Sequence, residues 1–479
     1  MTTCGQADSK RTQRWVLGLT SVASLMVALD TLVVSTALST IRVHLSASIE
    51  ALEWTVNAYS LSFAVLLMTA AVLGDRFGRK RLFVAGVGLF TAASAACALA
   101  RSVGWLVAAR AVQGAGAAVV MPLALALLSA AFPAQQRAKA LGIFSGVAGL
   151  AVLGGPVVGG AVTQGLAWPW IFWLNIPIGV LLVPLALRRM PESFGAPSKP
   201  DIGGLALVTA GAFGVVWGLV RANTAGWASV EVVAALMAGA LLTAAFVVWE
   251  LRAAEPMLPM WLFRSRAFSS GNAAALLMFG SLFGAVFFMA QFLQTALGNG
   301  PLGAGLRLAP WTATLFVVAP VAGALVNRTG ERPLMVGGLV LQAAGMGWIA
   351  LMARPGLAYI DLVAPLIVAG CGVSMAMPAA QNSIMGAVTA SAIGKASGAF
   401  NSMRQLGGVL GIAIAVAVFA GLGGYGSARA FSDGFAPAMG VLAGLSLLGA
   451  VAAAAAPARR EATASVAAPV AGDRLVSRR

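Results

Sequence analysis

Two side chains able to carry charge stand where charge is costly. Asp30 interrupts the apolar run LMVALDTLVV and Arg110 the run WLVAARAVQG, about eight and about six residues from corresponding ends of those runs. At about 1.5 Å of helical rise per residue the two depths are similar, so the carboxyl and the guanidinium can pair. Burial favours the neutral form of a carboxyl and a neighbouring cation favours the charged form. Moving Arg110 or water relative to Asp30 would therefore load or release a proton. The plainer role is structural, a carboxylate hydrogen-bonded to a helix neighbour such as Thr31 or Ser35. An ionisable group inside lipid marks a pathway or a proton site by default, which makes proton exchange the stronger expectation.

The other ionisable groups divide by depth. Arg404 lies about seven residues inside a later apolar run, able to attract an anionic group or to satisfy carbonyls. Arg307 is near enough to the end of its run to snorkel, and Glu53, Glu250 and Asp361 are also near run ends, where solvation is expected. His44 is a lone histidine with no role. Cys4, Cys97 and Cys371 are far apart and lack metal-ligand spacing; no nucleophile stands with a base, and no GxxxxGK[ST] loop occurs. Neither enzyme chemistry nor a metal or cofactor is expected.

The elements that position these residues have to be membrane helices. Of 479 residues 59% are hydrophobic and 10% charged, with a mean hydropathy of +0.90, whereas soluble domains average about 45–50% and about 25%. A soluble enzyme, a disordered chain and a coiled coil are excluded. Apolar runs of about 20 residues number fourteen, near 15–38, 52–73, 82–100, 104–130, 141–163, 171–188, 203–220, 230–250, 268–295, 303–326, 334–353, 361–387, 397–422 and 435–456. The net charge of +16 does not describe a nucleic-acid surface. Of 31 Lys and Arg, 23 fall on the side of the N-terminus, five on the other side and three inside spans. The positive-inside rule then puts both termini in the cytoplasm. With 57 glycines, helix backbones can approach closely where lipid supplies no hydrophobic drive to associate. An all-α polytopic membrane protein is expected.

The chain also repeats itself. AVLGDRFGRKRL (Ala71–Leu82) follows span two and GALVNRTGERPL (Gly323–Leu334) follows span ten; KALGIF (Lys139–Phe144) and KASGAF (Lys395–Phe400) begin spans five and thirteen, at offsets of 252 and 256 residues. Two matches at nearly one offset indicate duplication. The expected organisation is a cytoplasmic tail at 1–14, a six-helix bundle at 15–188, a linker with two extra spans at 189–267, a second six-helix bundle at 268–456 and a disordered cytoplasmic tail at 457–479. Internal repeats mark secondary transporters, which draw energy from an ion gradient.

These residues resemble the major facilitator superfamily over nearly the whole chain. LGDRFGRK (Leu73–Lys80) resembles its loop signature between helices two and three, with Ala71 where a Gly is usual. RAVQGAG (Arg110–Gly116) is similar to its fourth-helix signature, and GPVVGG (Gly155–Gly160) to the fifth-helix antiporter signature that marks exporters. Fourteen spans with ALDTLVVSTAL, EWTVNAYSL and WPWIFWLNIPIG resemble the fourteen-helix drug:proton antiporter subfamily. Pro169 departs from its usual Arg, and Asn327 from the Asp of the second-half loop signature.

The resemblance implies two pseudo-symmetric six-helix bundles plus two extra central helices. It implies a proton-coupled antiporter that exports hydrophobic or amphiphilic drugs or antibiotics by alternating access, with Asp30 and Arg110 in the proton role argued above. Gly74, Asp75, Arg76, Gly78, Arg79 and Lys80 would form a gating latch, and Gly155, Pro156, Gly159 and Gly160 would control leak and direction. A substrate cavity would lie between spans one, two, four and five and their partners, with Met26, Tyr59, Gln113, Gln291, Trp311, Gln381, Asn401 and Arg404 as candidates. The partners would be a small-molecule drug or antibiotic, protons and membrane lipid, without nucleic acid, for a monomer in a bacterial plasma membrane. A proton-coupled uptake symporter for a small organic solute is the alternative; GPVVGG argues against it. A neutral, singly charged or anionic substrate is expected rather than a dication, because span ten carries Arg307 and no carboxylate.

Overall fold

The computed structural model describes residues 3–195, 199–389 and 392–457, and every regular element among them is helical. A first set comprises α1 (Thr3–His44), α2 (Ile49–Phe77), α3 (Arg79–Ala98), α4 (Val103–Ala131), α5 (Ala134–Gly165), α6 (Trp170–Trp173) and α7 (Asn175–Arg189). An extra pair follows, α8 (Ile202–Ala225) and α9 (Val230–Arg252), with a short 3-10 turn at Met260–Arg264. The second set comprises α10 (Arg266–Thr295), α11 (Pro301–Arg307), α12 (Ala309–Thr329), α13 (Glu331–Met352), α14 (Tyr359–Gly386), α15 (Ile393–Leu422) and α16 (Ala428–Ala454). Among the described residues thirteen spans are long and apolar enough to cross a membrane, or fourteen when the bent α5 counts as one. The protein is a multi-pass membrane protein.

Helix starts are written locally. The side chains of Ser48, Ser102, Asp201, Ser229, Ser265 and Ser427 each accept a hydrogen bond from a backbone N–H in the first turn of the helix that follows, which satisfies a donor that has no intrahelical partner. Two expected spans are broken, at Leu174 between α6 and α7 and at Leu308 between α11 and α12. α1 begins at Thr3, so residues 3–14 continue the first helix; residues 458–479 lie outside the described residues.

Packing positions the functional groups. Within the first set α2 and α3 lie against α4, and α1 lies against α5; within the second, α13 packs on α14 and α16, and α10 on α15 and α16. The sets meet along two seams, α2 with α15 and α5 with α11. The extra pair covers the first of these: Val216 and Val220 of α8 cluster with Leu61 and Val65 of α2 and Val409 of α15.

Candidate functional site

Asp30 of α1 is 3% exposed and Arg110 of α4 is 1% exposed, and they form an ion pair, Arg110 Nη1 donating to Asp30 Oδ2 at 2.5 Å. The carboxylate is held by more than its cation. Gln113 Nε2 donates to Asp30 Oδ1 at 2.7 Å, and Asn175 Nδ2 of α7 donates to the same oxygen at 3.0 Å. Both amides also donate to Ser94 Oγ of α3, at 2.8 and 3.3 Å. Arg110 Nη1 further donates to Gln113 Oε1 at 2.7 Å, and its Nε to the Thr55 carbonyl of α2 at 3.1 Å. The guanidinium carbon lies 4.2 Å from the ring centre of Tyr59. Five helices thus converge on one buried charge pair, and the hydrogen bonds they supply help to offset its desolvation.

Three sequence expectations change here. Thr31 and Ser35 do not touch Asp30; their hydroxyls donate to the carbonyls of Val27 and Leu32. Gln113 belongs to the carboxylate network rather than to an open cavity, since three residues along a helix put it on the same face as Arg110. Glu53 and Glu250 are 0% and 3% exposed, not solvated. Glu53 Oε1 accepts from Asn57 Nδ2 at 2.9 Å and Glu250 Oε2 from the Leu258 amide at 3.0 Å.

At the opposite end of α2 from His44, Arg79 Nε donates to Asp75 Oδ1 at 2.6 Å across the α2–α3 turn. Gly78 takes φ 107°, a conformation that L side chains rarely adopt, and a Cβ there would meet the Glu192 carboxyl. Glu192, which follows α7, caps α3 from outside: its Oε1 accepts from the Lys80 amide at 2.8 Å and its Oε2 from the Arg81 amide at 3.2 Å. The segment 193–195 adds two backbone bonds, Arg79 N to Ser193 O at 2.9 Å and Gly195 N to Asp75 O at 3.1 Å. Gly74 packs against Leu123 of α4, and Arg76 is exposed beside the Phe77 ring. Of this cluster the sequence reading missed Glu192; its one signal was a carboxylate in an otherwise short polar stretch.

The GPVVGG residues form the second seam. α5 bends by 42° between Val152 and Gly154, as expected where Pro156 has no N–H to offer the Val152 carbonyl. Beyond the bend Gly155 and Gly159 abut Leu32 and Val33 of α1, Gly160 abuts Pro301 of α11, and Gly305 of α11 abuts Pro156. At these contacts only a missing Cβ lets the backbones meet. Gln294 Nε2 of α10 donates to the Thr36 carbonyl at 3.0 Å nearby, so this seam closes the His44 end of the interface.

Between the sets lies a narrow cleft. α1 and α2 supply Thr31, Ser35 and Ser60; α10 supplies Phe283 and Phe287; α15 supplies Gln405, Gly408 and Ile412. The sequence candidates lie around it and not in its wall. Met26, Tyr59 and Trp311 are buried in packing; Gln291 is buried and bonds to the Tyr425 hydroxyl and the Phe287 carbonyl. Gln381 is exposed, and Asn401 donates to Ser397 O at 2.9 Å. Arg404 is half-buried, its guanidinium carbon 5.9 Å from the Phe279 ring centre. Ser60 and Gln405, each one residue from a candidate, are the groups that reach the cleft.

Comparison with known proteins adds family and fold. The sequence model of the Major Facilitator Superfamily matches residues 20–412 and 274–477. The chain is 36% identical over 412 residues to the tetracenomycin C resistance and export protein of Streptomyces glaucescens, covering 85% of this chain and 76% of that protein. It is 34% identical over 412 residues to the multidrug resistance protein Stp of Mycobacterium tuberculosis, covering 86% and 76%. The solved structure of the POT family transporter PepTSo matches with a TM-score of 0.69 at 15% identity, over 93% of this chain and 97% of that one. At that identity the likeness concerns the fold alone.

Proposed function

The chain belongs to the major facilitator superfamily, and from that premise we propose that it exports a hydrophobic or amphiphilic drug or antibiotic in exchange for protons. It is a transporter and not an enzyme. The relatives named for resistance and export support the cargo, and the buried Asp30–Arg110 pair is the observation that carries the coupling. Both termini face the cytoplasm in this reading, so the α5–α11 seam lies on the outer side and the Asp75–Glu192 cluster on the cytoplasmic side.

Proton uptake by Asp30 cancels one charge and leaves Arg110 with the Thr55 carbonyl, Gln113 and the Tyr59 ring as partners. The Tyr59 hydroxyl reaches the Val27 carbonyl and accepts from Thr31, which lines the cleft. Any shift of Arg110 is therefore passed to the cleft wall through one packed ring. Rocking of the two sets about the glycine seam then exposes the cleft to alternate sides. One proton moving inward through 100 mV supplies about 2.3 kcal/mol, which sustains a gradient of a neutral cargo on the order of fifty-fold.

Acid-loaded inverted vesicles test this. Native protein should release lumenal protons when a compound from a panel of antibiotics and dyes is added, and Asp30→Asn should lower that flux at least tenfold while folding normally. No response from well-folded native protein across the panel, or an undiminished response from Asp30→Asn, would sink the reading.

A further inference from the structure

On α15, two consecutive side chains hold buried hydrogen-bond donors that find no acceptor among the described residues: Arg404 Nε and Gln405 Nε2. Gln405 is 2% exposed and lines the cleft. The Arg404 guanidinium lies beside Phe279 of α10, whose ring stacks on Phe283 in the cleft wall. No carboxylate forms an ion pair with it among the described residues, although Asp30, Glu50, Asp75, Glu192 and Glu231 all pair with other arginines. A cation partly withdrawn from water and left without a counter-charge is an unfavourable arrangement for a protein to hold. Apolar rings, Phe283 and Phe287, flank the same space.

We infer that Arg404 and Gln405 form the recognition point for an anionic oxygen, such as a carboxylate, on an otherwise apolar cargo. Guanidinium and amide N–H groups supply directional donors to such an oxygen, and the phenylalanine rings supply the surface for the apolar part. The inference deepens the export reading and rests on it for the direction of transport. Binding itself does not depend on that direction.

The test uses full-length protein in nanodiscs of neutral phosphatidylcholine and three probes of one shape: 1-pyrenebutyrate, its methyl ester and 1-pyrenemethylammonium. Tryptophan-to-pyrene energy transfer reads equilibrium binding, with empty nanodiscs subtracted. Pyrenebutyrate should bind native protein at least tenfold more tightly than the ester or the cation. Arg404→Gln should remove that preference, and Arg404→Lys should keep it within about threefold, because a point charge still attracts an anion although it lacks the fork of donors. Gln405→Glu keeps the arginine but supplies it with an internal counter-charge and should likewise abolish the preference for the anion, which guards against a misfolded Arg404 variant. Equal affinities for the three probes in native protein, or an Arg404→Gln variant that still prefers the anion, would overturn the inference; so would equal weakening of all three probes in both variants. Charge-selective binding without any drug-driven proton flux would instead count against the export reading alone.

Discussion

The two six-helix sets carry matching sequence segments and are filled with opposite chemistry. Carried across by the repeat offset of 252 to 256 residues, Asp30 falls on 282–286 and Arg110 on 362–366, the segments LFGAV and LVAPL. Where the first set gathers a carboxylate, a guanidinium, two amides and a serine, the second stacks rings. Phe292 lies 4.2 Å from Phe435 with planes 9° apart, and Phe288 lies 4.8 Å from Phe419. One set carries ionisable groups at these positions and the other carries none. In the proposed transport cycle the internal contacts of the first set would depend on protonation, while the shape of the second is fixed by dispersion and close packing.

Three substitutions break or sharpen that contrast. Asp30→Leu strands Arg110 as a buried cation and should cost about 3–5 kcal/mol, seen as a large drop in melting temperature in detergent; adding Arg110→Met should recover most of it. If the double variant is no better than the single, the network is not held by charge. Phe292→Ala in the second set should cost about 3 kcal/mol through the lost stack and cavity, and no change of charge elsewhere should restore it. Glu53→Gln is the mildest. Glu53 has one donor partner and no ion-pair partner among the described residues, and the amide keeps the oxygen that Asn57 uses, so the change should cost no more than about 1 kcal/mol. A loss as large as that of Asp30→Leu would mean that the first set contains a second essential charge.

The fold and the central pair were legible because lipid makes charge rare: Asp30 and Arg110 stand out in apolar runs, and the repeated loop signatures locate both sets. Depth was harder to read. Glu53 looked terminal because span limits were drawn at about 20 residues, whereas α2 runs for 29 residues and its end stays under protein. Asn175 was visible in WLNIPIG as a polar residue in an apolar run, but nothing local points it at Asp30 145 positions away. The cleft faces of α2 and α15 were missed by one residue, at Ser60 and Gln405, because a helix face turns by about 100° per residue.

Glu192 has a consequence for how the chain is made. The cap on α3 comes from a residue 112 positions after Lys80, and at roughly 5–20 residues per second the ribosome reaches it roughly 6–22 s after the amide it caps. Throughout that interval the α2–α3 turn waits in the nascent chain with its arginines exposed and its amides bonded to water. A chain interrupted before residue 192 would hold six of the membrane-crossing segments and still lack the clasp. The first bundle is therefore completed from beyond its own last helix, and its quality control belongs to the segment that leads into the next.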